Sequence, residues 1–425
     1  MATAASRPAG PDLDGPAPWG LPRRVGFRVG LLYLFLYGVP YTVSELPLLS
    51  WLGEKYQAVW GPFVRRVGGA LLATPVPPRA PNGSGDQLYF FAEILCMFLV
   101  SVLGAIAWSL ADRRRANHRE LAEALRIYLR YLLAFTMLTY GMVKVLKSQF
   151  PEPSPVRLVT PLGQMSPMGL LWTFMGHSTA YTVFAGLAEV AGGALLLFRR
   201  TTTLGALVLV AVLANVALLN YAFDVPVKLF SSHLLLMAVI LLAPDLRRLL
   251  DLLVRNRATR PADLGAPPVP PHWRRALPIA KGVVIAAMLA HVLWTAVDGY
   301  RSFGDGVEPL AIEGAYRVVA PPEDPDGWRQ VAIARRTFAA VTADGRVVRY
   351  ALEHEVATGA LLLTEVDDPR RSAGRLTVTA GGGEIHLAGA LAGVPVSLRL
   401  RRVDPTEFLL TRRGFHWVND APYNR

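Results

Sequence analysis

Apolar runs close to twenty residues long recur along the chain, separated by short segments that collect arginine and proline. This is the pattern of a polypeptide that crosses a bilayer repeatedly, because a helix needs about 20 predominantly apolar residues to span a hydrocarbon layer of about 30 Å. The first run, VGLLYLFLYGVPYTV, follows Arg23, Arg24 and Arg28, and with no small-residue cleavage site after it, it reads as an uncleaved helix. Residues 1–22 ahead of it are rich in Ala, Pro and Gly and are expected to form a disordered cytoplasmic tail. Aromatic residues and the pair Arg65, Arg66 between Trp51 and Leu72 suit an amphipathic helix lying on the membrane. The second span, LYFFAEILCMFLVSVLGAIAWSLA, has Glu93 near its far end and stops at Arg113, Arg114 and Arg115.

The third span, Ile127 to Phe150, carries Lys144 inside an apolar run, and a proline-punctuated loop, PEPSPVRLVTPLGQMSP, follows it. Beyond Gly176 and His177, TAYTVFAGLAEVAGGALLLF is the fourth span and TLGALVLVAVLANVALLNYAF the fifth, joined through two arginines as an antiparallel hairpin. LFSSHLLLMAVILLAPDL is the sixth, an arginine-rich linker runs from Arg247 to Arg275, and ALPIAKGVVIAAMLAHVLWTAV is the seventh. Placing every arginine-rich end in the cytoplasm makes the orientations alternate without conflict, with the N-terminus inside and the C-terminus outside.

From about Asp298 the period changes to two. The runs YRVVA, QVAIA, TFAAVT, RVVRYAL, LLLTEV, RLTVTA, EIHLAGA and VSLRLRRV, with hairpin signals at Asp344-Gly345 and Gly381 to Gly383, predict about eight short antiparallel strands. The fold class is therefore mainly α transmembrane, a bundle of about seven spans over 23–297, followed by an exported antiparallel all-β barrel or sandwich over 298–425. The chain closes on Arg412, Arg413, His416 and Trp417, a mixture suited to lipid headgroups or to a lid over a membrane-facing site.

Composition sharpens this picture in two places. The 425 residues are 52% hydrophobic with a net charge of +12, but the arginines cluster beside apolar ends, which argues for membrane topology and against nucleic acid as a partner. A single cysteine, Cys96, excludes an intramolecular disulfide and a thiolate set for an iron–sulfur cluster. There is no phosphate-binding glycine loop, no HExxH and no GxSxG.

Counting each helix from its arginines gives the candidate chemistry. Lys144 is fourteen residues from Arg130, His233 fourteen from Arg247 and Asn215 fifteen from Arg200, so all three lie about 21 Å up, with Tyr140 and Glu189 one or two turns lower. If their faces converge, they enclose a polar pocket in the outer half of the bilayer. The donors of Lys144, His233, Asn215 and Tyr140 suit the carbonyl oxygens of a quinone, and Glu189 or His233 can pass protons. Packing is the plainer account: His233 and Asn215 as interhelical hydrogen bonds, Glu189 neutralising Lys144. His177 with His233 lacks any spacing signature for metal or haem, and no metal site is expected.

The run LLAFTMLTYGMVKVLKSQF, with Gly141 and Lys144 as a Gly-x-x-Lys element, and FAGLAEVAGGALLLFRRTTTLGALVLVAVLAN, with Glu189, Gly192 and Gly193, resemble the DoxX-like membrane family over about 126–250. The resemblance implies a four-helix membrane core and a link to quinone or thiol redox chemistry, as in membrane subunits of thiosulfate:quinone oxidoreductase or MauE-like helper proteins. The expectation is an inner-membrane subunit or accessory of a redox system, with a quinone as cofactor and an exported or membrane redox protein as partner. A scaffold or maturation factor whose β domain binds an exported client, and a small-molecule transporter, are the alternatives.

Overall fold

The computed structural model describes residues 18–45, 50–259, 261, 271–319, 327–355, 357–368, 370–381 and 384–423. Most of the expected tail and much of the arginine-rich linker lie outside these residues. The chain divides into two compact units, the first taking the chain up to Leu138 with Glu189–Tyr221 and Val225–Val292, the second Thr139–Ala188, Ala222–Asp224 and the chain from Leu293 onward.

In the first unit α1 (Leu21–Glu45) packs along α4 (Leu88–Ala111), and the stretch between them folds as α2 (Ser50–Phe63), a π-helical turn (Val64–Gly68) and α3 (Gly69–Leu72). Val64, Tyr89, Ala92 and Cys96 form a core with Trp60, Phe63 and Val67 against it, so the aromatic side of the expected surface helix is turned onto α4. Helix α5 (Arg119–Val145) begins eight residues before the expected third span and ends five before its close. Four short or medium helices follow in order: α6 (Pro155–Val159), α7 (Pro167–His177), α8 (Thr179–Leu196) and α9 (Thr202–Ala222). Next come α10 (Lys228–Leu242), α11 (Leu246–Leu253) and α12 (Ala276–Ser302).

Among the described residues five helical stretches are long and apolar enough to cross a membrane: α4, α8, α9, α10 together with α11, and α12. The expected count of seven is not reached, because α1 and α5, although 25 and 27 residues long, are not among them. Arg126, Arg130 and Lys144 lower the hydropathy of α5. Two carboxylates fix the ends of the first unit's helices. Asp86 accepts from the backbone N–H groups of Lys228 (2.9 Å) and Leu229 (3.0 Å) at the start of α10, and Asp245 accepts from Thr203 (2.7 Å) and Arg126 (3.2 Å) as well as Arg248.

Small residues set the helix spacing. A Cβ added at Gly193 would lie 2.8 Å from the Ala134 carbonyl oxygen and 3.2 Å from the Leu138 backbone nitrogen, so α8 and α5 touch through backbone there. Gly193→Ala is expected to destabilise by about 1–3 kcal/mol: the overpacking outweighs the ~1 kcal/mol of helix propensity that alanine gains. A melting temperature equal to or above that of the parent in detergent would contradict this contact.

In the second unit eight strands form a closed antiparallel barrel in simple sequence order. They are β1 (Gly314–Val319), β2 (Trp328–Ala334), β3 (Thr337–Thr342), β4 (Val347–Glu355), β5 (Ala360–Glu365), β6 (Ser372–Gly381), β7 (Glu384–Leu391) and β8 (Val394–Val403). Each of the eight expected runs is one of these strands, and the pairing of Ala315 with Val403 closes β1 on β8, making the architecture a barrel and not a sandwich. Val331, Ile333, Phe338, Leu361, Leu363, Leu376, Leu387 and Leu400 fill the interior with no exposure to solvent. An eight-stranded barrel is just wide enough for side chains to do this.

The apolar runs of β2 and β3 are continuous because both of their faces are covered. Val331, Ile333, Phe338 and Ala340 point inward, while Ala332, Ala334, Ala339 and Val341 form an outer cluster with Val156 and Val159 of α6. The proline-rich loop is thus a docking element for the barrel. Thr160 accepts from Arg349 (3.1 Å), and the Gln164 side chain accepts from the Val347 N–H (3.0 Å) and donates to the Gly345 carbonyl. After β8 a capped turn leads to α13 (Leu409–Arg412), and Arg413 lies over the Tyr423 ring at 4.1 Å.

Candidate functional site

Tyr33, Tyr37 and Pro40 are spaced four and three residues apart, so they share one face of α1. On α10, His233 lies one turn after Leu229, and its Nδ1 is 2.7 Å from the Leu229 carbonyl oxygen. A carbonyl only accepts, so Nδ1 carries the proton, and Nε2 is left as an acceptor for the Tyr33 hydroxyl at 2.6 Å. The Tyr37 ring stacks on the imidazole at 4.0 Å between centroids and 9° between planes, and Phe98 of α4 meets Tyr33 edge-on at 6.4 Å. Tyr33, Tyr37 and His233 are half-buried and Phe98 is exposed. One turn further along the same face of α1, Val39 and Pro40 open a cleft of ≈ 410 Å³ lined also by Leu52, Gly53, Tyr56 and Trp60. The group is thus a half-buried, hydrogen-bonded polar pair framed by aromatic rings, with a mostly apolar cleft that also has Lys55 in its lining one turn further along α1.

Over 139 residues, which are 33% of this chain and 86% of the relative, the sequence is 34% identical to the uncharacterized protein YwoB of Bacillus subtilis (strain 168). The chain belongs to the YwoB family. No family model matches it, and no solved structure does. The match leaves two thirds of this YwoB-family chain without a counterpart, and the relative carries no assigned activity.

Of the other expected site residues, Lys144 and Tyr140 lie together at the end of α5 in the second unit. The Lys144 ammonium is buried, 3.5 Å from the Tyr140 carbonyl and 5.8 Å from the centre of its ring. Gly186 brings α8 against this turn, since a Cβ there would meet the Gly141 carbonyl oxygen at 2.7 Å and the Lys144 Cβ at 2.9 Å. Gly186 is therefore the residue that permits this close helix contact, with Gly141 contributing only its carbonyl. Glu189 is buried on α8. Asn215 is exposed on α9 with no described hydrogen bond to His233, and His177 is exposed at the end of α7. Equal height did not bring Asn215 to the histidine, because height leaves the rotation of each helix undetermined.

Lys147 has a different role. Its buried ammonium pairs with Asp305 (3.0 Å) and donates to the Thr179 hydroxyl (3.1 Å) and the Gly176 carbonyl (3.2 Å). It ties the end of α5 to the start of α8 and to the segment leading into the barrel. Sequence reasoning missed Tyr33 and Tyr37. The signal available was their four-residue spacing in an apolar run.

Proposed function

We propose that this YwoB-family protein is a membrane-embedded subunit or accessory of a quinone-linked redox system, and that the quinone head group is held at Tyr33 and His233. The observation that carries this reading is the 2.6 Å Tyr33–His233 pair, half-buried between α1 and the apolar α10, with an apolar cleft further along α1. The donor set fits both forms of such a ligand. The Tyr33 hydroxyl can turn from His233 to donate to a carbonyl oxygen, and His233 Nε2 can accept from a hydroxyl of the reduced form, while the Leu229 carbonyl keeps the imidazole oriented. The Tyr37 and Phe98 rings offer faces and edges to a flat head group, and the groove beyond Pro40 suits an isoprenoid tail. A bound quinone supplies electron and proton carriage through the bilayer. The arginine pattern favours an inner membrane with the barrel on the exported side, where outer surface not covered by α6 can dock a redox partner.

Purified in mild detergent and extracted with organic solvent, the protein is expected to yield quinone on chromatography. Tyr33→Phe removes one hydrogen bond worth about 1 kcal/mol and weakens retention about fivefold, and His233→Leu empties the site. Equal quinone in all three preparations, or none in the parent, would overturn the assignment. A second reading, a scaffold for an exported client, draws on the filled barrel interior, which leaves only outer surfaces and strand loops for binding.

A further inference from the structure

The arginine-rich end of α1 and the turn between α4 and α5 build a second polar centre. Residues 21–28 and 111–118 hold six arginines and one carboxylate, Asp112. Arg28, only 2% exposed, is the pedestal: Nε donates to His118 Nε2 (3.0 Å), one terminal nitrogen to the Ser109 hydroxyl (2.8 Å) and the other to the Asp112 carbonyl (3.0 Å). Because His118 Nε2 accepts, its proton sits on Nδ1. Burial, with Arg28 and Arg115 close by, holds the imidazole below its ordinary pKa and keeps it neutral.

Above this pedestal Arg24 donates to the Arg115 carbonyl (2.9 Å), Arg115 pairs with Asp112 (3.3 Å), and Arg23 lies over the Trp19 ring at 4.4 Å. Trp19, Phe27 and Trp108 surround His118 with centroid separations of 6.2, 5.6 and 5.3 Å. Two donors of this group, Arg24 Nε and His118 Nδ1, are buried with no acceptor. Positive charge in excess, donors short of acceptors, and tryptophans at the end of apolar helices together favour an anion at the membrane surface. Arg23, Arg113 and Arg115 are exposed and Arg24 is half-exposed, so their terminal nitrogens are the groups an incoming anion meets.

We infer that this cluster binds the phosphate of an anionic phospholipid, with Arg24 and Arg115 as its principal contacts and the Arg28–His118 pair as the support that positions them. Arginine suits the role because its planar fork grips phosphate oxygens bidentately, and each basic residue near a negative leaflet adds about a factor of five in affinity.

The test is lipid binding by the full chain in nanodiscs, read by native mass spectrometry, with phosphatidylglycerol in a phosphatidylcholine background. The parent is expected to retain phosphatidylglycerol selectively, with retention falling as salt rises. The Arg24→Gln, Arg115→Gln double variant should bind it roughly thirtyfold more weakly, and the charge-keeping Arg24→Lys, Arg115→Lys pair should recover part of the loss. A parent that shows no preference for phosphatidylglycerol overturns the inference, as does a folded double variant with unchanged retention. Inorganic phosphate at millimolar concentration should leave the bound lipid in place. Displacement by phosphate alone would assign the cluster to a soluble phosphate and not to the lipid surface.

Discussion

Asp305→Ala is expected to destabilise the protein by about 1–3 kcal/mol, the cost of taking a partner from a buried polar group, and to lower the melting temperature by roughly 5 °C. The Lys147 side chain is 7% exposed, and without Asp305 its ammonium keeps only the Thr179 hydroxyl and the Gly176 carbonyl at short range, with Glu152 at 4.0 Å. The backbone compounds the loss. Helix α5 ends in a Schellman arrangement, with the Ser148 N–H on the Val143 carbonyl and the Lys147 N–H on that of Lys144, both at 2.9 Å. The position that glycine normally fills is Lys147, at φ +52°. A side chain there costs about 1–2 kcal/mol, and the three acceptors around the ammonium hold the strained residue in place. Replacing both partners, Lys147→Met with Asp305→Ala, should recover part of the loss because no charge is left stranded. A single variant melting within 1 °C of the parent, or a double variant worse than the single, would remove the pair from this role.

Gly389→Val should prevent the barrel from closing. Gly374 of β6 and Gly389 of β7 sit at φ +157° and +151°, and a Cβ at either would collide with backbone of the paired strand, the Ala390 carbonyl for the first and the Arg375 carbonyl for the second. No side chain can move aside to relieve such a contact, so the strands themselves must separate. The expected loss is at least about 3 kcal/mol, visible as rapid proteolysis between Gly314 and Val403 while the helices stay intact. Gly393→Ala is the contrast: φ is +80° but the space is open, so only the backbone term of about 1 kcal/mol applies. Equal protease resistance in the two variants would contradict the argument from closeness.

The barrel was legible because its signal is local. Alternation in EIHLAGA and VSLRLRRV and the Asp344-Gly345 turn specify strand, face and reversal within a few residues of each other. The membrane helices were legible as apolar runs, although Lys147 shows how a helix end escapes: nothing in GMVKVLKSQF announces a left-handed lysine. The site was less legible still. Tyr33 and His233 are 200 residues apart and carry no spacing signature, and their contact depends on how α1 and α10 are rotated. The fifteen-residue count from Arg200 to Asn215 does not fix which way the residue faces. Val156 and Val159 of α6 looked like loop residues because the surface they cover is supplied by β2 and β3, more than 150 residues later.

Photoaffinity labelling with a short-tailed azidoquinone reaches the central claim most directly. Saturable label is expected in peptides from α1 or α10, Leu21–Glu45 or Lys228–Leu242, and is expected to disappear in His233→Leu. Saturable label confined to other helices, or unchanged by His233→Leu, would contradict a quinone site at Tyr33 and His233.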